Sequence, residues 1–266
     1  MPEDIHNIYN PYNNEIVGFV PIANKDTINK LIENIKNIKV TLSSNQKKLI
    51  LENTANKLEE NKHDYAKLIT LETGLSLKDS TYEIGRVINC ARYSIKICDY
   101  VNRDITKNFL VDQDNKPELR VIKEPLDLAL AITPFNHPMN QVAHKIFPAL
   151  IAGTKVILKP SEKTPLSAIK LVEILKDSGM PENLISVVTT NNPGDLIVEL
   201  LNKARFDMVT FTGGLEAGLN IKKALVENNH LLTKYVPELG GSSSLIICDD
   251  GDLDLGIKHI LNGCFK

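Results

Sequence analysis

From Leu126 to Cys248 short apolar runs alternate with stretches of helical period, and this alternation restricts the fold more than any other feature of the sequence. The runs are Leu126–Ile132, Lys155–Leu158, Leu184–Val188, Met208–Phe211 and Leu245–Cys248. Between them, Gln141–Ile151, Leu166–Lys176, Asp195–Leu201 and Gly218–Leu225 place apolar side chains three and four apart. Strands that are apolar throughout must be covered on both faces. The pattern therefore predicts an α/β fold with a parallel sheet between helices. Sheets of this kind bind ligands beyond the carboxyl ends of their strands, so the loops after each run are the places to look for chemistry.

The first hundred residues read as helical. A helix begins at Asp26–Thr27 with Ile28, Leu31, Ile32 and Ile35 on one face; Ser44 suits the cap of a second. Lys67–Thr73 stops at Gly74, and Ser80–Tyr100 forms a longer helix in which Cys90 and Cys98 read as small core residues. Residues 105–124 change texture. Phe109–Val111 and Leu119–Ile122 flank the polar turn Asp112–Pro117, which reads as a projecting β-hairpin or as a plain surface loop.

Four loops carry candidate chemistry. Thr133-Pro134-Phe135-Asn136-His137-Pro138 brackets an asparagine between two prolines, which stiffens the turn around its amide; taken alone, Asn136 also reads as a helix cap. Lys159-Pro160-Ser161-Glu162 puts a donor and an acceptor three residues apart at a strand end, suited to sugar hydroxyls or simply to solvent. Thr212-Gly213-Gly214 opens a helix with small residues that let backbone N–H groups approach a pyrophosphate, although the G-x-G-x-x-G fingerprint is missing. Pro237-Glu238-Leu239-Gly240-Gly241 offers a carboxylate suited to a general base if burial raises its pKa, or to an ordinary turn.

Charge excludes other classes. Thirty-one basic and 33 acidic side chains leave a net charge of −2 without a basic stretch, which argues against nucleic-acid and membrane partners. The 4 cysteines form no C-x-x-C pair or His cluster, so no metal site is read, and a reduced, cytoplasmic protein is expected.

Taken in order, the segments Ile132–Pro138, Leu158–Glu162, Phe211-Thr212-Gly213 and Glu238–Gly241 resemble the aldehyde dehydrogenase superfamily. Asn10-Pro11, Leu71-Glu72-Thr73-Gly74, Lys123–Leu126 and the acidic turn Asp249–Asp254 extend the resemblance over essentially the whole chain. The resemblance implies a Rossmann-like sheet that binds NAD, or NADP, and oxidation of a small aldehyde to an acid through a cysteine thioester. It implies that Asn136 stabilises the oxyanion and that Glu238 is the general base. It assigns the cofactor to Thr133, Pro134, Phe135, Lys159, Ser161, Glu162, Gly194, Phe211, Thr212, Gly213, Gly214, Leu239 and Gly240. It also divides the chain into a cofactor domain (1–104 and 125–240), an oligomerisation hairpin (105–124) that makes a homo-oligomer, and the beginning of a second α/β catalytic domain (241–266).

The sequence departs from the family pattern at Gly214, where serine is common, at Leu75-Ser76, where Lys-Pro is frequent, and at Ser242–Ser244. Cys264 stands ahead of the family's nucleophile, which the pattern puts on the order of half a dozen residues past Lys266. On this reading the chain is a fragment, inactive alone, of an NAD-dependent enzyme. The alternative is a non-catalytic nucleotide-binding half that pairs with another chain. Glu162 favours NAD, because its carboxylate repels a 2′-phosphate; Lys159 and Lys163 keep NADP possible.

Overall fold

The computed structural model describes residues 4–38, 40–101 and 123–264. The expected hairpin at 105–124 falls almost wholly outside them. The described chain opens with an antiparallel pair, β1 (Ile5–Tyr9) and β2 (Ile16–Pro21), that the sequence reading does not contain. Asn14, at φ 58, turns the chain between the strands.

Four helices follow: α1 (Lys25–Lys36), α2 (Ser44–Glu60), α3 (Lys62–Thr73) and α4 (Leu77–Val101). The expected cap shifts by one residue. Ser43 accepts from the Gln46 N–H, and Ser44 is the first helical residue. α3 starts earlier than the pattern suggested and stops at Gly74, whose φ of 76 suits a residue without Cβ.

The second half is strand-helix alternation: β3 (Leu128–Ile132), α5 (Pro138–Ala152), β4 (Lys155–Lys159), α6 (Leu166–Asp177), β5 (Ile185–Val187), α7 (Pro193–Lys203), β6 (Met208–Gly213), α8 (Leu215–Glu227) and β7 (Lys234–Leu239). The five strands are parallel in the order β5-β4-β3-β6-β7, the arrangement of a Rossmann-like sheet. β3 is central, and the chain reverses its direction of travel across the sheet between β3 and β6.

Alternate residues of β3 feed two cores. Ala131 joins Ile84, Val87 and Ile88 of α4 and Met139, Ile146 and Phe147 of α5. Leu128, Leu130 and Ile132 join Ile32 of α1, Leu200 of α7 and Ile221 of α8 on the other face.

Two expectations near the end are corrected. Leu245–Cys248 is not a strand: the segment is irregular, and Leu245 and Ile246 are 50% and 83% exposed. The edge belongs to β7, so Glu238 is a strand residue and not part of a turn, paired in register with Thr212 of β6. Pro237 lacks an N–H and is tolerated because β7 is an edge strand. The last helix, α9 (Leu253–Cys264), has no buried residue.

Candidate functional site

At the switch between β3 and β6 the carboxyl ends of β3, β4 and β6 open into a cleft of about 570 Å³. Thr133, Pro134, Phe135, Lys159, Ser161, Glu162, Gly194, Phe211, Thr212, Gly213 and Gly214 all line it. Parallel register explains the convergence, since Ile132 pairs with both Lys159 and Phe211 and puts the three following loops side by side.

Lys159 closes β4 with its side chain 4% exposed, and its Nζ donates to Glu162 Oε2 at 3.2 Å. Burial holds the lysine below its ordinary pKa against the pull of Glu162. Burial works the other way on Glu162, but its own backbone N–H, Lys159 and Lys163 outweigh it and hold that carboxyl low. The lip of the cleft is formed by Phe135, with Lys163 Nζ 4.8 Å from its ring centroid. Thr133 sits at the floor, its buried Oγ1 without a hydrogen-bond partner among the described residues.

Across the cleft, Gly214 is the N-cap of α8 and brings no side-chain acceptor to the first-turn N–H groups. A Cβ at Gly213 would stand 2.5 Å from the Phe211 ring, which would have to shift to admit it, whereas Gly214 faces open space.

Asn136 follows the floor and is exposed. Its Oδ1 accepts from the His137 N–H at 3.0 Å, which leaves Nδ2 as its donor group. Asn136 does not cap α5; the N-cap residue is His137, without a side-chain cap bond. The first-turn donors go to a residue from another helix. Glu83 of α4, 1% exposed, accepts from the Met139 and Asn140 N–H groups at 3.0 and 2.9 Å. Its other oxygen lies 3.3 Å from His137 Nδ1, and that bond raises the histidine pKa above its ordinary value.

Glu238 is exposed, so the burial expected to raise the pKa of a general base is not found; it lies at a second cavity, of about 490 Å³, lined by α5, β3, β4, β6 and β7. Lys145 of α5 shares it and donates from Nζ to Thr210 Oγ1 at 2.8 Å. Burial brings the lysine pKa down to about 8, while Glu238 pulls it up. Asn136, Leu239 and Gly240 line neither cavity; Leu239 packs where a Cβ on Gly218 would come within 2.5 Å of its Cδ2.

Residues 2–266 match the sequence profile described as the Aldehyde dehydrogenase family. The chain belongs to the aldehyde dehydrogenase family. Betaine aldehyde dehydrogenase of Bacillus subtilis is 30% identical over 99% of this chain and 53% of its own length. Aspartate-semialdehyde dehydrogenase 1 of Pseudomonas canavaninivorans is 33% identical over 97% of this chain and 54% of its own. The crystal structure of a double mutant of Staphylococcus aureus betaine aldehyde dehydrogenase in complex with NAD+ superposes with a TM-score of 0.86 at 29% identity, covering 98% of this chain and 52% of that one. The chain thus spans about half the length of the curated relatives it matches.

In this aldehyde dehydrogenase chain, sequence reasoning missed the helical wall of the first cleft: Pro193, Ile197 and Val198 of α7, and Ala217, Asn220 and Ile221 of α8. The Asn191-Asn192-Pro193-Gly194 turn was the available signal, because Asn192 accepts from the Asp195 N–H and aims α7 at the cleft. Glu83 and Lys145 gave no signal in one dimension. Each is a single charged residue in a helix.

Proposed function

We propose that this chain binds NAD in the first cleft and supplies the oxyanion donor and the general base for oxidation of an aldehyde to a carboxylic acid. The Lys159–Glu162 pair facing the Gly214 cap of α8 carries the reading. It offers one donor and one acceptor for vicinal ribose hydroxyls, and the uncapped N–H groups opposite suit a pyrophosphate. Ile197, Val198 and Ile221 give an adenine ring an apolar wall. The donor set therefore fits the cofactor held by the S. aureus relative. Bound NAD supplies the hydride acceptor.

The remaining chemistry belongs to protein groups. Asn136 donates from Nδ2 to the oxygen that becomes negative when a cysteine thiolate of the family adds to the aldehyde carbonyl. Glu238 takes a proton from the water that cleaves the resulting thioester, releasing the acid. Cys264, exposed on α9, is not assigned as that thiolate. Residues 1–104 and 125–240 act as the cofactor domain and 241–266 belong to the catalytic domain; the segment 105–124, assigned to homo-oligomer formation, lies almost wholly outside the described residues. Among the described residues no helix is long and apolar enough to cross a membrane.

The test pairs binding with turnover. Asn136→Ala lowers the turnover of the active enzyme by roughly 10²–10³-fold while NAD affinity holds, and Cys264→Ala leaves turnover intact. Turnover that survives Asn136→Ala, or vanishes in Cys264→Ala, contradicts the assignment.

A further inference from the structure

The aim of the Asn136 amide depends on the backbone that follows it. Asn136 Oδ1 accepts from the His137 N–H at 3.0 Å, so the amide is fixed only as well as His137 is fixed. α5 starts one residue later at Pro138, which has no N–H to give, and its N-cap His137 makes no side-chain cap bond. The Met139 and Asn140 donors of the first turn must therefore be met from elsewhere.

One side chain of α4 meets both. Glu83 Oε1 accepts from Met139 and Asn140 at 3.0 and 2.9 Å, and Oε2 lies 3.3 Å from His137 Nδ1. The residues held are the first, third and fourth after Asn136. Ile84, Val87 and Ile88, which follow Glu83 on α4, share a core with Met139, Ile146 and Phe147 of α5. The carboxylate is thus anchored in the helical layer and not in the loop it holds.

Stability alone does not call for a charge at this place. Glu83 is 1% exposed, and the desolvation of a buried carboxylate is offset only when its bonds are well made. Apolar side chains of similar volume often serve a core as well. They cannot hold three polar groups in a fixed arrangement. A donor to a developing oxyanion needs that fixity, since a displacement of about 1 Å costs on the order of 10²-fold in rate. Glu83 itself lines neither cavity, so it reaches the chemistry only through the loop. Resting on the reading of Asn136 as the oxyanion donor, we propose that Glu83 is its positioning residue. The carboxylate holds His137, Met139 and Asn140 and, through the His137 N–H, aims the Asn136 amide.

A double-mutant cycle with two readouts tests this. Glu83→Gln keeps an acceptor oxygen for the Met139 and Asn140 N–H groups but gives up the charge and the acceptor facing His137. In the active enzyme it lowers kcat about fivefold, while NAD affinity by calorimetry stays within about twofold. In the Asn136→Ala background the same change costs less than about twofold, because no amide remains to be aimed. His137→Gln loosens the tie from its half-buried end, where folding is not at risk, and lowers kcat in the same direction. The second readout is amide hydrogen exchange on this chain. The His137 N–H exchanges about fivefold faster in Glu83→Gln, and the β3 and β4 amides, which report the fold, do not change. Equal kcat losses in both backgrounds, or an unchanged His137 exchange rate, overturn the proposal. Faster His137 exchange together with full turnover in Asn136→Ala refutes the oxyanion reading and leaves Glu83 as the residue that holds the amide. A turnover loss in Asn136→Ala that neither Glu83→Gln nor His137→Gln shares does the reverse.

Discussion

Each of the two cavities holds a lysine whose pKa burial lowers, Lys159 buried and Lys145 half-buried, yet they treat its charge in opposite ways. Lys159 has its counter-charge 3.2 Å away on Glu162, three residues along the same loop. Among the described residues Lys145 of α5 bonds only the Thr210 hydroxyl, and it feels Glu238 from β7. A closed pair presents both a donor and an acceptor with little net charge, which suits sugar hydroxyls. An open one presents its charge to whatever enters. The same contrast recurs in the helical layer. Glu83 and Glu72 are both buried and each accepts two backbone N–H bonds at a helix start, of α5 and α6 respectively. Glu83 also has His137, whereas Glu72 has no cation paired with it among the described residues and burial lifts its pKa to about 7, against the opposing Ser167 and Leu166 bonds. Local sequence builds the Lys159–Glu162 pair. The others depend on tertiary packing.

The largest expected effect breaks the open site. Glu238→Gln in the active enzyme slows thioester hydrolysis by roughly 10²–10⁴-fold and leaves NAD affinity nearly intact. It also takes away the influence that raises the Lys145 pKa, which should then fall below about 8 by NMR titration. Hydrolysis at the normal rate would reduce Glu238 to a counter-charge for Lys145. Next, Lys159→Met opens the closed site. It strands Glu162 and removes a charged donor, so calorimetry should register a loss of about 100-fold in NAD affinity.

Glu72 tests the unpaired carboxyl through pH. Its folded pKa of about 7 stands above the ordinary 4.5, so the folded state binds the proton more tightly over that window. Stability should fall as pH rises from about 4.5 to about 7 and level off beyond, a change on the order of 3 kcal/mol. Denaturant melts of Glu72→Gln should flatten that slope; an unchanged slope assigns it to another group. The smallest effect concerns the paired glutamate. Glu83→Gln removes the main cause of the raised His137 pKa, and the His137 titration should move down. Since stability gained from that raised pKa is present at low pH and lost as pH rises through it, the variant should lose stability on the acid side only.

The parallel sheet was legible because its strands are apolar on both faces and bounded by turns, as Leu128–Ile132 is, with every residue buried. The same rule failed where burial failed. Leu245–Cys248 is apolar but exposed, and β7 was hidden because Lys234 and Pro237 interrupt its apolar residues. Of the first cleft, the loop residues could be read because loops after strands share one end of the sheet. Ile197 and Ile221 could not, since a residue on the apolar face of a helix looks the same whether it faces the core or a ligand. Glu83 and Glu72 cap helices 56 and 95 residues away in the chain, a link no local pattern carries.

The central claim is that the closed Lys159–Glu162 pair reads an adenosine ribose, and a calorimetric titration of this chain with NAD and NADP tests it most directly. The account predicts saturable NAD binding and weaker NADP binding, because a 2′-phosphate meets the Glu162 carboxylate, with the gap narrowed several-fold in Glu162→Gln. NADP binding as tight as NAD, or a gap that Glu162→Gln does not alter, would contradict it.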